Sequence, residues 1–149
     1  MKVIANNRKA LHDYIVMDTY EAGVVLEGSE VKSLRQGAVS MSDGYTEFRN
    51  GEIFLFNLHI SPYKFSSALA LNPKRKRKLL FNKGEIRRLY GVVQQKGSTL
   101  VPLKIYFNDR GYAKISIGVC RRKRQYDKKE KILTKETEKS LSKLRRISR

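Results

Sequence analysis

Apolar and polar residues alternate with a period of two over much of this chain, a pattern typical of half-buried β-strands. The alternation is clearest in residues 100–107 and 112–119, on either side of a turn signal at residues 108–111. A second hairpin is predicted within residues 38–58, because Asn50-Gly51 is among the strongest two-residue turn signals. The pattern therefore predicts two antiparallel hairpins.

The N-terminal part contains a third β-type run, LHDYIVM at residues 11–17. A turn is predicted at residues 18–23, followed by a short returning strand at residues 24–27. Within such a strand the neighbours His12 and Asp13 would point to opposite faces, which argues against a catalytic pair. Residues 1–10 are predicted either as a frayed polar terminus or as a basic arm on a phosphate backbone, and composition leaves both open.

A short helix is predicted after this returning strand. Ser29 is a plausible N-cap, Glu30 falls in the first turn, and Gly37 fits a left-handed stop. Val31 and Leu34 lie three residues apart on one face. Because a helix of about two turns is unstable alone, we expect these two side chains to pack against a sheet.

A second helix is predicted from Asn82 to Gly97. Asn82 and Glu85 have the spacing of a capping box. The apolar residues that follow recur at helical spacing and form one stripe, namely Ile86, Leu89, Tyr90 and Val93.

Short strands in hairpin order with inserted helices, and without strand–helix–strand alternation, favour a mainly β fold. We predict a small antiparallel barrel of the oligonucleotide-binding type with two to three short helices. The barrel is assigned to residues 1–119. Residues 120–149 are predicted to form a basic C-terminal tail that is mobile when free, because their apolar residues are too sparse for a core.

Charge then narrows the class of partner. The chain has 32 Lys and Arg against 14 Asp and Glu, a net charge of +18, and 13 of those basic residues with 4 acidic ones fall within residues 120–149. A sequence pI near 10.2 indicates a polyanionic partner, with nucleic acid favoured over an anionic membrane surface. The N-terminus lacks a signal-peptide core and no apolar run is long enough to span a membrane, so we expect a cytoplasmic protein.

The sequence offers little for catalysis or metal binding. It lacks a glycine-rich phosphate loop, a nucleophile elbow and an HExxH motif, so no enzyme activity is predicted. Cys120, His12 and His59 are too few for a zinc site, and we predict no metal and no cofactor. Cys120 is expected to be a buried small residue.

RNA-binding chemistry is better represented. Lysines and arginines can neutralise phosphates, whereas Asn7, Asn82 and Glu21 can read base edges and Tyr63 and Tyr126 can stack on bases. Glu21 stands out because a carboxylate repels bare phosphate but accepts hydrogen bonds from the amino groups of cytosine and guanine. The predicted RNA-binding residues are Asn7, Arg8, Lys9, Glu21, Lys32, Arg75, Arg77, Lys78, Leu80 and Asn82.

Several motifs, in the same order along the chain, resemble those of the SsrA-binding protein family, also called small protein B. The longest is EAGVVLEGSEVKSLRQG at residues 21–37; the others include NRKA at 7–10, HDY at 12–14, DGY at 43–45, RKLL at 77–80, LYG at 89–91, IGV at 117–119 and YDKK at 126–129. The resemblance covers nearly the whole chain. The departures are RRKR at 121–124, which lacks the usual glycine, DKK at 127–129 in place of Asp-Lys-Arg, and Leu71-Asn72 before Pro73.

The resemblance implies an oligonucleotide-binding-type barrel that binds the tRNA-like domain of transfer-messenger RNA (tmRNA). It implies delivery of that RNA to stalled ribosomes for trans-translation, with the protein in the place of an anticodon arm. Residues matching Glu21, Leu80 and Asn82 would face the RNA. The tail, with Tyr126, Asp127, Lys128 and Lys129, would reach the decoding centre and messenger channel and become helical there. A monomer without membrane contact is implied.

Two other functions are weighed against this one. The first alternative is a general RNA-binding or ribosomal barrel protein without specificity for the tRNA-like domain. The second is an RNA-modifying enzyme whose site the sequence does not reveal. Competition for binding between the tRNA-like domain, plain tRNA and duplex RNA discriminates between these functions.

Overall fold

The computed structural model describes residues 1–64, 71–95 and 97–123. In chain order, its elements are β1 (Lys2–Asn6), α1 (Arg8–Asp13), β2 (Tyr14–Val24), α2 (Gly28–Arg35), β3 (Val39–Ser40), β4 (Tyr45–Arg49), β5 (Glu52–Phe56), β6 (His59–Ile60), β7 (Arg77–Leu80), α3 (Lys83–Val93), β8 (Ser98–Phe107) and β9 (Ala113–Arg122).

The main sheet has seven antiparallel strands in the order β1-β8-β9-β2-β7-β5-β4, and β3 pairs separately with β6. The sheet is rolled, so that its last strand β4 comes back to β8. There the Thr46 hydroxyl donates a hydrogen bond to the Leu100 carbonyl oxygen at 3.0 Å. Between β4 and β8 this side-chain hydrogen bond takes the place of backbone pairing. The prediction of a mainly β, antiparallel, oligonucleotide-binding-like fold is confirmed.

Both predicted hairpins are present. Asn50 and Gly51 join β4 to β5 with φ values of 52° and 77°, as a two-residue turn with left-handed positions requires. The turn between β8 and β9 ends on Gly111, at φ 81°. Inward residues of these strands and of β7 fill the core together with one leucine from each of α2 and α3. The fully buried members of this core are Leu34, Ile53, Leu55, Leu58, Leu79, Leu89, Ile105, Ile115 and Ile117.

The two predicted helices also form, with shifted ends. The first begins at Gly28, after Glu27 as N-cap, and ends before Gly37, which has φ 74°. The second begins after Asn82 as predicted, but it ends at Val93, four residues before Gly97.

The N-terminal prediction is wrong in three respects. Residues 2–6 form β1 against β8 and are neither frayed nor a free arm. Residues 8–13 form α1, where the His12 Nδ1 and Asp13 Oδ1 atoms lie 3.0 Å apart at the helix end. The predicted turn at residues 18–23 lies inside β2, an 11-residue strand that stays extended because it pairs with β9 along most of its length.

The C-terminal boundary of the barrel also lies further along the chain than predicted. Strand β9 continues to Arg122, and the Lys123 N–H donates to the Asp13 carbonyl oxygen at 2.9 Å. Cys120 is fully buried, as expected, in a small cluster beneath α1 with Ala10. The break in composition at residue 120 therefore falls inside a strand. The rest of the predicted tail, residues 124–149, lies outside the described residues.

Candidate nucleic-acid interface

The outward side of the rolled sheet places Glu21 in a row of polar and apolar side chains. Ala22 and Val24 of β2 point into the core. Because successive side chains of a strand alternate in direction, Glu21 and Gly23 lie on the outward side. The register sets Gly23 opposite both Lys114 of β9 and Leu80 of β7. We call Glu21, Gly23, Leu80, Tyr106 and Lys114 the Glu21 face.

Tyr106 joins this face through the register of the second hairpin. It pairs with Lys114, which places it in the same cross-strand row as Gly23 and Leu80. Glu21 lies one outward step along β2, opposite Ser116. Four strands, β8, β9, β2 and β7, thus contribute to one continuous surface.

Gly23 lets the Leu80 side chain pack across the middle of the face. Gly23 itself is buried, and a Cβ atom at this position would lie 3.3 Å from the Leu80 Cβ and Cδ1 atoms, closer than most side chains pack. Leu80 remains 52% exposed above it. A groove of about 350 Å³ runs between Gly23, Leu80 and Tyr112. The surface that a base or a ribose can contact here is therefore the exposed side of Leu80.

Glu21 is exposed but is not isolated. The hydroxyl of Tyr106, a residue only 5% exposed, donates a hydrogen bond to Glu21 Oε2. Burial of the phenol, together with the Glu21 carboxylate, raises the pKa of Tyr106 above its usual range. Tyr106 therefore stays a hydrogen-bond donor at any physiological pH. The Lys104 Nζ atom lies 5.5 Å from the centroid of the Tyr106 ring and adds positive charge beside the carboxylate.

Asn82 lies two residues after Leu80 and begins α3. Its Oδ1 atom accepts a hydrogen bond from the Glu85 N–H at 2.7 Å, and the Glu85 carboxylate accepts from the Asn82 N–H at 3.2 Å. This is the predicted capping box. Asn82 is exposed, so the same residue is accessible to a ligand at the edge of the Glu21 face.

Asn7 does not have the accessibility that its prediction as a base reader required. It is 3% exposed. Its Nδ2 atom donates to the Pro102 carbonyl oxygen at 2.8 Å, and its Oδ1 atom accepts from the Ala10 N–H at 3.1 Å. Both ends of the amide are used by the fold, so this prediction is corrected: Asn7 caps α1. Its neighbours Arg8 and Lys9 are exposed on that helix.

Two of the arginines predicted to bind RNA, Arg75 and Arg77, form an internal ion-pair cluster instead. Arg77 is completely buried, and its Nε atom donates to Glu30 Oε2 at 2.8 Å. The Arg75 Nε atom lies 3.1 Å from both oxygens of the same carboxylate. Arg77 is thereby corrected from a phosphate contact to a core residue of β7, and Arg75 is held largely away from solvent.

Glu30 is the centre of this cluster and also belongs to α2. Its carboxylate accepts from the Glu27 N–H at 2.9 Å, which is half of a capping box. Burial alone would raise the pKa of Glu30, but the hydrogen bonds from Arg75, Glu27 and Arg77 lower it below its usual value. The prediction that Glu30 acts in the first turn of a helix is confirmed, but its two arginine partners were missed.

The remaining residues predicted to bind RNA or the ribosome lie in different environments. Lys32 is exposed, with its Nζ atom 5.4 Å from the centroid of the Tyr63 ring. Lys78 is half-buried, and its Nζ atom lies 3.7 Å from a Glu52 carboxylate oxygen. The predicted tail contacts, Tyr126, Asp127, Lys128 and Lys129, lie outside the described residues.

The sequence did not indicate Tyr106, Lys104 or Lys114. Their position relative to Glu21 depends on the register of three strands, β2, β9 and β8. Within residues 1–64, 71–95 and 97–123, no group of three or more His, Cys, Asp or Glu side chains is placed to hold a metal ion. In the same residues no helix is long and apolar enough to cross a membrane.

Comparisons with known proteins identify similar chains. The family model described as SmpB protein matches residues 4–147. An SsrA-binding protein of Thermus thermophilus is 54% identical over 129 residues, which cover 87% of this chain and 90% of the relative. One of Enterococcus faecalis is 50% identical over 141 residues, covering 95% of this chain and 91% of the relative. A solved chain described as "tmRNA-SmpB: a journey to the center of the bacterial ribosome" is 52% identical with a TM-score of 0.70, and the match covers 89% of this chain and 95% of that one.

Proposed function

We propose a function from the premise that the chain belongs to the SmpB family: it binds tmRNA and takes it to stalled ribosomes for trans-translation. Its relatives are SsrA-binding proteins, and its structural neighbour is a tmRNA-SmpB chain associated with the bacterial ribosome. The tRNA-like domain is the part of the RNA that the protein recognises. In this role the chain takes the place of a tRNA anticodon arm.

The observation that carries the proposal is an exposed carboxylate on the outward side of the sheet, in a chain with a net charge of +18. Phosphate attraction supplies affinity that is independent of sequence. Glu21 cannot contribute to that attraction, since it repels phosphate. It contributes only where an RNA presents a hydrogen-bond donor, so it supports selection among RNAs.

Leu80 and Asn82 extend the same surface toward α3. Leu80 offers an apolar contact for the face of a base or sugar, and Asn82 offers an exposed amide side chain. Lys104 and Lys114 flank Glu21 and Gly23 and can contact the phosphates of the nucleotides that lie there. Arg8, Lys9, Lys32 and Lys78 supply further positive charge around the barrel.

The remaining parts of the proposal rest on the family resemblance. The barrel holds the RNA, and the basic tail, with Tyr126, Asp127, Lys128 and Lys129, reaches the decoding centre and messenger channel. The protein acts as a cytoplasmic adaptor without an enzymatic step of its own, and no cofactor is required.

The test is a competition assay with the full chain at physiological salt. The three competitors are the tRNA-like domain of tmRNA, a plain tRNA and an RNA duplex of similar length. The tRNA-like domain should compete best. Equal affinity for all three would refute the proposed specificity and favour the alternative of a general RNA-binding barrel.

Glu21→Ala separates recognition from electrostatics in the same assay. Loss of a negative charge would tighten binding if attraction to phosphate were the only effect. We expect weaker binding to the tRNA-like domain and unchanged or slightly tighter binding to the duplex. Glu47→Ala is the matched control, because it removes the same charge from the outward side of β4. Tighter binding of the tRNA-like domain by Glu21→Ala would exclude a reading role for Glu21.

A further inference from the structure

We propose that Tyr106 is a positioning residue for RNA recognition. Its hydroxyl fixes the Glu21 carboxylate so that the remaining acceptor sites face an amino group of a nucleotide base. The inference rests on the proposed function and deepens it, because it gives Glu21 a defined orientation. It also names the chemical group that Glu21 would read.

The register explains how the two side chains meet. Strand β9 lies between β8, which contains Tyr106, and β2, which contains Glu21. Two strand spacings, about 9.6 Å, must therefore be bridged. Tyr106 lies opposite Lys114 of β9, and Glu21 lies opposite the next outward residue of that strand, Ser116. The phenol therefore crosses β9 diagonally to reach the carboxylate.

Tyr106 is buried whereas Glu21 is exposed, as expected if the tyrosine positions the carboxylate. Tyr106 is 5% exposed although it lies on the outward side of the sheet, so its ring is packed in place. Glu21 is exposed and has three side-chain torsions that would otherwise sample many rotamers. A hydrogen bond from a fixed ring to a mobile carboxylate restricts the carboxylate.

The direction of this hydrogen bond also determines what Glu21 can bind. An ionised carboxylate only accepts hydrogen bonds, and it has about four acceptor sites on two oxygens. The Tyr106 hydroxyl occupies a site on Oε2, and among residues 1–64, 71–95 and 97–123 no hydrogen bond to Oε1 is formed. The exposed Leu80, whose side chain packs across the buried Gly23, lies on the same side of the sheet as Glu21. A base whose plane lies against Leu80 can therefore present the amino group of cytosine or guanine to Oε1.

The first test is Tyr106→Phe, which keeps the ring and removes only the donor. We expect affinity for the tRNA-like domain to fall about tenfold, in line with the loss of a hydrogen bond to a charged group. Affinity for duplex RNA and the dependence of binding on salt should not change. Tyr45→Phe is the control, since that tyrosine is exposed on β4, outside the Glu21 face. It should bind every RNA like the unmodified chain.

A double-mutant cycle tests whether Tyr106 acts through Glu21. In a Glu21→Ala chain, Tyr106→Phe should change affinity by less than about twofold, because the group that it positions is already absent. A merely structural hydroxyl would cause the same loss with or without Glu21. An equal loss in both backgrounds, or no loss in the unmodified chain, would overturn the inference.

Glu21→Asp gives a second test that leaves Tyr106 intact. Its carboxylate is one methylene shorter and should not reach the phenol, so binding should weaken about as much as in Tyr106→Phe. Binding like the unmodified chain would overturn the positioning role. If Glu21→Ala weakens binding while Tyr106→Phe and Glu21→Asp do not, the inference fails but the proposed function stands. If the unmodified chain does not prefer the tRNA-like domain, both fail.

Discussion

The buried cluster of Glu30, Arg75 and Arg77 gives the sharpest stability prediction. Glu30→Gln preserves the shape of the side chain but removes the negative charge between two guanidinium groups. Arg77 would keep only neutral acceptors, namely the Leu58 carbonyl oxygen at 2.5 Å and the Pro73 carbonyl oxygen at 3.0 Å. A fully buried cation would then lack its counterion.

The expected cost follows from these contacts. Glu30 accepts a hydrogen bond from each arginine, and a hydrogen bond to a charged group contributes about 1.5–3 kcal/mol. Loss of one partner from a buried ion pair costs about 3–5 kcal/mol. The free energy of unfolding should therefore fall by about 3–5 kcal/mol, a large part of the total of about 5–15 kcal/mol typical of a domain.

Urea unfolding followed by circular dichroism measures this change. Glu52→Gln is the matched control, because it neutralises a carboxylate paired with Lys78 whose two side chains are about 40% exposed. An exposed pair of this kind contributes at most about 1 kcal/mol. A loss below 1 kcal/mol for Glu30→Gln would show that the cluster does not stabilise the fold as its burial indicates.

The same carboxylate should make stability depend on pH. The pKa of Glu30 is lower in the folded protein than its usual value of 4.5. Its contribution is therefore complete above the unfolded pKa and is lost as pH falls through the folded pKa. Unfolding between about pH 5 and pH 2 should show a smaller loss of stability in Glu30→Gln than in the unmodified chain. Identical acid profiles would contradict this assignment.

Three further predictions concern the C-terminal strand and its packing. Truncation after Lys123 should leave the unfolding midpoint and RNA binding nearly unchanged, whereas truncation after Val119 should destabilise the barrel by removing buried Cys120; equal midpoints would contradict this. Gly118→Ala should lower the free energy of unfolding in urea by about 1–3 kcal/mol, since its Cβ would lie 2.7 Å from a leucine methyl group. Gly91→Ala, which has open space around it, is the control and should be neutral or stabilising. Burial raises the pKa of Cys120 to about 11. Iodoacetamide at pH 8 should therefore label this thiol only after unfolding, and rapid labelling of the folded protein would contradict the prediction.

The parts of the fold that the sequence predicted well are specified by neighbouring residues. Asn50-Gly51 determines its turn by left-handed backbone preference, and Asn82 with Glu85 starts α3 by reciprocal hydrogen bonds. The alternation in the last hairpin likewise identifies its inward face. In each of these cases, the contacts that decide the structure join residues close in sequence, so the pattern carries them.

The predictions that failed depend on distant partners. Arg77 lies in a run of five basic residues that is typical of a solvated loop, and only Glu30, 47 residues away, explains its burial. Asn7 similarly bonds to Pro102, 95 residues away, and this contact converts an apparent basic arm into a capped helix. No periodicity within residues 73–78 or 1–10 contains this information.

The position of Glu21 changes how its selectivity is understood. In the predicted turn, a carboxylate would have adapted to the RNA and would have lost conformational entropy on binding. In β2 its backbone pairs with Ser116 of β9, β7 joins two residues further on at Gly23, and its Oε2 atom is held by Tyr106. A site on a regular strand with a fixed partner is already ordered before the ligand arrives. In the proposed function, the surrounding lysines act on any RNA, whereas the ordered carboxylate favours an RNA that places a donor at Oε1. That proposal assigns affinity and selectivity to different residues, so Glu21→Ala and a change of salt concentration should affect them separately.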